Sequence, residues 1–167
     1  MLKIISFSGA LMLAGYAVVA NAGTVIPNDL SKCSAGKGPS ILVTVRGLKG
    51  NKGKRLDGKV RVQAYHGTKQ DWLKRGRWLN RVERLPKGKS MNFCLPVPKA
   101  GAYGVAVRHD INGNGKTDLS NDGGGFSNNP KLSTFRIITG RTGVKLSSAK
   151  INVGNGVKKI VIDMNYR

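Results

Sequence analysis

The stretch GAYGVAVRHDINGNGKTDLSND, Gly101 to Asp122, decides the fold. Tyr103, Val105 and Val107 recur every second residue, with a small or polar residue between them. That is the period of a strand with one buried face, and it is too short for a helix. At His109-Asp110 the pattern stops and the chain turns into Asp, Asn and Gly. These residues tolerate left-handed backbone and bond their own main chain, so a tight loop follows the strand.

The same period recurs on both sides. SILVTVRGL sets Ile41, Val43 and Val45 against Thr44 and Arg46. GKVRVQAYHG sets Val60, Val62 and Ala64 against Arg61, Gln63 and Tyr65. KSMNFCLPV aligns Phe93, Leu95 and Val97, and KKIVIDMNY aligns Ile160, Ile162 and Met164. KLSSAKINV and STFRIITG read as further short strands. Gly, Lys, Asn and Pro punctuate them, as in PKGKS, PKAG and GNG. Short strands separated by turn signals at this spacing predict an all-β, single antiparallel β-sandwich over residues 40–167.

TKQDWLKRGRWLNRVERL, Thr68 to Leu85, breaks the pattern. Trp78, Leu79, Val82 and Leu85 fall roughly on one helical face, and Gly76 interrupts any longer helix. One short helical turn, followed by a less regular strand, is expected there. Both tryptophans lie in this segment beside Lys74, Arg75, Arg77 and Arg81. Trp72, Trp78 and these four cations form a candidate contact for an anionic partner. The alternative is a loop whose aromatics fold back over the core.

Residues 1–22 have the layout of a secretory signal peptide: Lys3, an apolar run, then Ala20-Asn21-Ala22. An uncleaved anchor is the alternative. Export to the periplasm or outside the cell is the expectation, with residues 23–39 as an N-terminal tail carrying Cys33. Without Lys3 the chain has 28 basic residues against 8 acidic, a formal charge of +20. That excess favours anionic partners, and charge alone does not choose among them. In an exported protein the expected ones are anionic envelope or matrix polymers or an anionic membrane surface, with nucleic acid, as extracellular DNA, the less expected. It equally describes a solvated surface. Cys33 and Cys94 are the two cysteines. An even count in an oxidising compartment predicts a Cys33–Cys94 disulfide.

Three of the eight acids, Asp110, Asp118 and Asp122, crowd into this one loop of a basic chain. Aligned with a D-x-[DN]-x-[DN]-G calcium loop, Asp110, Asn112 and Asn114 take positions 1, 3 and 5. Gly115 takes the sharp turn at 6, Lys116 offers its backbone carbonyl at 7, and Asp118 takes 9. Position 12 is Asn121 instead of the usual bidentate Glu, with Asp122 one step on. The candidate ligands for a weak, structural Ca²⁺ are therefore Asp110, Asn112, Asn114, Lys116 through its carbonyl, Asp118 and Asp122. Two or three carboxylates place the affinity at about 10⁻⁴ to 10⁻³ M at best. A Gly/Asn-rich turn with no metal is the competing reading. His109 packs or caps its strand, because hard cations prefer oxygen.

AGAYGVAVRHDINGNGKTD followed by GGGFSNN resembles the bacterial domain of unknown function 2141 family. The residues that carry the likeness include Gly101, Tyr103, His109, Asp110, Asn112, Gly115, Asp118 and the Gly125–Asn129 run. The opening ILVTVRGLKGNKGKRLDGKVRVQAYHG is also similar. The resemblance implies an exported sandwich of transthyretin-like or collagen-adhesin B-type character, and it does not imply an enzyme. Two departures stand out. LSNDGG is shorter than the family's segment there, and RIITGRTGVKL is unusually basic. GFSNN either folds over the acidic loop as a ligand rim, or its Phe126 plugs the sandwich end while the polar residues cap.

Catalysis has little to stand on. Glu83 is the only glutamate. There is no triad spacing, G-x-S-x-G elbow or phosphate loop. GNGKTD only echoes the tail of one. Paired carboxylates among Asp110, Asp118 and Asp122 remain the one arrangement that could serve hydrolysis. The sequence therefore points to a non-catalytic β-sandwich binding or structural module whose loop 110–122 holds Ca²⁺. The alternative is a cationic envelope-associated protein in which the loop is only a turn.

Overall fold

The computed structural model describes residues 23–50, 56–118, 120–131 and 143–166. Within them the strands are β1 (Thr24–Val25), β2 (Ser40–Arg46), β3 (Lys59–His66), β4 (Trp78–Arg84), β5 (Ser90–Pro96), β6 (Gly101–Asp110), β7 (Gly123–Phe126), β8 (Lys150–Val153) and β9 (Val157–Asp163). The larger sheet runs β1-β4-β3-β6-β7, and the smaller runs β5-β2-β9. β8 pairs with Gly101–Gly104 of β6 and β7 with Ala106–His109, so β7 and β8 lie end to end along one edge of β6.

The alternating positions meet between the sheets. Ile41, Val43, Val45, Phe93, Leu95 and Ile162 face Val60, Val62, Ala64, Val82, Tyr103, Val105 and Val107, all buried. Burying one such side chain is worth roughly 1.5–3 kcal/mol, which is why a period of two is enough to specify this layer. Two pairings depart from an antiparallel scheme: β2 with β9, and β1 with β4, are parallel. Alternation reports which face is buried and carries no information about the direction of the neighbouring strand.

Residues 68–77 hold turns where a helical turn was expected. Trp72 N–H bonds Thr68 O at 3.0 Å, but Leu73 and Gly76 take positive φ (56° and 73°) and end any continuation. The supposed helical face belongs instead to β4. Ala64 pairs with Asn80 and Tyr65 with Trp78, so Leu79 is the extra residue of a bulge. The bulge turns Leu79 toward the core and Trp78 to the other side of the sheet. KLSSAKINV splits into a four-residue helix, Leu146–Ala149, and β8. A 3-10 turn, Leu30–Cys33, is capped by Asp29.

The tail is bound to the sandwich. β1 extends the larger sheet, Asn28 bonds Cys94 N–H (3.1 Å) and Asn92 O (2.9 Å), and Cys33 is disulfide-bonded to Cys94. The expected bridge is therefore present. No helix among the described residues is long and apolar enough to cross a membrane. Residues 1–22, read as a signal peptide, and the STFRIITG strand lie outside the described residues.

Candidate functional site

β6 and β7 form a hairpin in which His109 pairs with Gly123, and the acidic loop is its connection. Alternation along β6 sends Val107 and His109 into the core. Arg108 and Asp110 therefore leave the strand on the opposite face.

The loop is folded by its own oxygens. Asp110 Oδ2 accepts from Gly115 N–H at 2.8 Å. Asn112 Oδ1 accepts from Asn114 N–H at 3.1 Å, and Asn114 Oδ1 from Lys116 N–H at 2.7 Å. Gly113 and Gly115 supply the positive φ these turns need, 69° and 75°. Asp122 is buried and clasps the base: Oδ1 accepts from Ile111 N–H (3.2 Å) and Oδ2 from Asp118 N–H (2.9 Å). Asp118 accepts from the Ser120 hydroxyl (2.7 Å) and N–H (3.1 Å) and from the Asn121 amide (3.1 Å). The Ser120 bonds, the hydroxyl first, hold its pKa below the usual carboxylate range.

Arg108, which the sequence reading passed over, reaches across the loop. Its guanidinium donates to Asp110 Oδ2 (3.3 Å), Gly115 O (3.1 Å) and Thr117 Oγ1 (3.1 Å). The signal was available: residues i and i+2 of a strand share a face, so Arg108 and Asp110 must meet. Two atoms here stay without a partner, Arg108 Nε and the buried Asp110 Oδ1. Among the described residues no three His, Cys, Asp or Glu side chains converge as a metal cluster. Asp110 and Asp122 lie buried at the base, while Asn112, Asn114 and Lys116 are exposed at the tip.

The GFSNN segment joins strands and makes no bond to the loop among the described residues. Ser127 Oγ accepts from Val105 N–H (3.0 Å) and donates to Ala149 O. Asn128 donates to Lys150 O (2.8 Å). Asn129 donates to Val161 O (3.1 Å) and accepts from Asp163 N–H (2.9 Å). Residues 43–161 match the family described as an uncharacterized protein conserved in bacteria (DUF2141). The chain belongs to the DUF2141 family. No curated protein and no solved structure matches it.

In this DUF2141 chain the motif glycines make room for packing. A Cβ on Gly123 would lie 2.3 Å from the Tyr166 ring, and one on Gly125 2.6 Å from Ile162. His109 is fully buried between Tyr166 and the Asp57 carbonyl, away from the loop oxygens. Phe126 packs against Trp72, ring centroids 6.1 Å apart, in the small cluster of Tyr65 and Ala149.

Trp72 corrects the expectation of an exposed anionic-partner contact. It is buried over Gly104 with its indole N–H bonded to Val144 O at 2.7 Å. Together with Tyr65, Ala149 and Phe126 it forms a second small core on the outer face of the larger sheet. Arg77 pairs with Asp71 (3.5 Å). Arg81 stacks over the half-buried Trp78 (4.1 Å) and pairs with Glu83 (3.3 Å). Lys74 and Arg75 are exposed. Trp72 is therefore covered, and Trp78 packs against the same small core.

Proposed function

We propose that this protein is an exported, non-catalytic β-sandwich module whose β6–β7 loop binds Ca²⁺. The observation that carries the reading is Asp110 Oδ1, a buried carboxylate oxygen with no hydrogen-bond donor. Leaving such an atom unpaired costs on the order of 1–3 kcal/mol or more, and a hard cation that prefers oxygen removes that cost. Asn112 and Asn114 each keep a second lone pair beside their turn bonds. Lys116 C=O and Asp118 complete the candidate ligands. Asp122, with both oxygens on backbone N–H groups, acts as the clasp that holds the loop ready. The disulfide fits an oxidising, periplasmic or extracellular setting. Few carboxylates and the neighbouring Arg108 keep the affinity at about 10⁻⁴ to 10⁻³ M.

Calorimetric titration of Ca²⁺ into the mature, chelator-treated protein tests this, with Mg²⁺ and Asp110→Ala as controls. Saturable heat that favours Ca²⁺ and disappears in the variant is expected. No heat and no rise in melting temperature at several-fold above the expected Kd overturns it.

A second role rests on the excess positive charge and on the exposed Lys74 and Arg75. It is contact with anionic envelope or matrix polymers. Binding of that kind weakens steeply with salt.

A further inference from the structure

The smaller sheet ends at β9, and no strand among the described residues pairs with the other edge of β9. Ser40 N–H bonds Gly156 O (3.2 Å) and Met164 N–H bonds Arg46 O (2.9 Å). These two bonds fix the phase of the parallel β2–β9 ladder: even-numbered residues of β9 face β2. Both backbone groups of Val157, Lys159, Val161 and Asp163 therefore point the other way. Asn129 confirms it, since its side-chain amide takes Val161 O and Asp163 N–H as a neighbouring strand would. Past Asn129 the amide groups of Lys159 and the N–H of Val161 meet no strand among the described residues.

This edge borders a cleft of about 450 Å³ between β8 and β9. Lys150, Lys158 and Lys159 line it with Asn128 and Asn152, and no acid does. We infer that the β8–β9 cleft is a strand-addition site for an extended acidic segment of another protein. Backbone pairing on an open edge supplies register, and alternate side chains supply selectivity. Three ammonium groups around the edge favour carboxylates. The same lysines repel a second copy of this strongly basic chain, as charged edges commonly do. A polysaccharide would meet the charge but has no amides to continue the ladder, which is why a polypeptide is the better fit. The inference is independent of calcium at the loop.

The test is a titration followed by the backbone amide resonances of the mature, disulfide-bonded protein, with chelator present. The probe is a short peptide alternating glutamate and valine. Its controls are the same peptide N-methylated at alternate amides, and dextran sulfate. The peptide is expected to shift the Lys159 and Val161 amides, and N-methylation to weaken it about tenfold, the loss of one to two hydrogen bonds. Lys159→Ala, which keeps the N–H, should bind more tightly than Lys159→Pro, which loses it. If Lys159→Pro does not fold, the N-methyl comparison alone decides. Equal binding of the methylated peptide overturns strand addition, as does dextran sulfate reproducing the same shifts or β9 pairing with a second copy.

Discussion

His109 Nδ1 lies 2.8 Å from the Tyr166 hydroxyl, and both rings are packed at the end of the core. His109 Nε2 is 2.7 Å from Asp57 O, which can only accept, so Nε2 carries the hydrogen. Nδ1 is then the acceptor for the Tyr166 O–H. Lys49 N–H donates to the same hydroxyl at 3.2 Å. One phenol thus ties the end of β9 to β6 and to the connection after β2.

Tyr166→Phe deletes that hydroxyl and leaves Nδ1 buried without a donor. An unpaired buried acceptor costs about 1–3 kcal/mol. Urea denaturation of the variant against the wild type is expected to show a loss of that size with an unchanged m-value. A loss below a few tenths of a kcal/mol would mean that the hydroxyl is not a structural tie.

The same phenol sets a pH dependence. Burial pushes the Tyr166 pKa up to about 12, above its unfolded value of about 10. Its contribution is therefore complete below pH ~10 and is lost as the pH rises toward ~12. Tyr65 and Tyr103 are raised in the same direction, chiefly by burial. Stability should fall as the pH is raised across that window, and that of Tyr166→Phe should fall less steeply. The described residues contain no free thiol to confuse the alkaline measurement.

How much of this was legible follows residue by residue. Val43, Val62, Phe93 and Val105 announced their buried faces because alternation and burial are the same fact in a strand. The loop was legible because Gly113 and Gly115 occupy left-handed backbone that few other residues accept. The parallel β2–β9 ladder was not, since it joins residues far apart in sequence and leaves no local trace. Trp72 was misread for a related reason: its partners Gly104, Phe126 and Val144 come from remote segments, so its basic neighbours in sequence said nothing about burial. Leu79 and Val82 looked helical because the bulge brings two residues three apart to the same side of the sheet, a spacing that a regular strand forbids and a helix allows.

Arg108 gives a sharper test of the loop than removing its ligands. Its guanidinium shares Asp110 Oδ2 and Gly115 O with the loop, so a bound divalent cation must tolerate that positive charge. Arg108→Leu removes the repulsion and the competition together. Ca²⁺ affinity is expected to rise by roughly tenfold, the scale of one unit charge a short distance from a divalent ion in a partly solvated site. Without calcium the same variant should be less stable, because Asp110 loses its only ion pair among the described residues. Affinity and apo-stability moving in opposite directions would separate a cation site from a plain turn, for which only the stability would change.

The Cys33–Cys94 bridge spans 61 residues and holds the segment that carries β1 against β4 and β5. A loop of that length is worth about 4 kcal/mol in the chain-entropy description. Replacing both cysteines with serine should lower the unfolding free energy by up to that amount, because the unfolded chain regains the freedom that the closed loop denied it. Hydrogen exchange locates the loss. The Cys94 amide, bonded to Asn28 Oδ1, and the Ile26 amide, bonded to Arg81 O at 2.8 Å, should exchange much faster in the variant. The amides of Val105 and Val107, in the middle of the larger sheet, should slow or quicken only with global stability. If the tail amides stay protected while the whole protein is destabilised, the bridge acts on the unfolded chain alone and β1 is held by its own pairing.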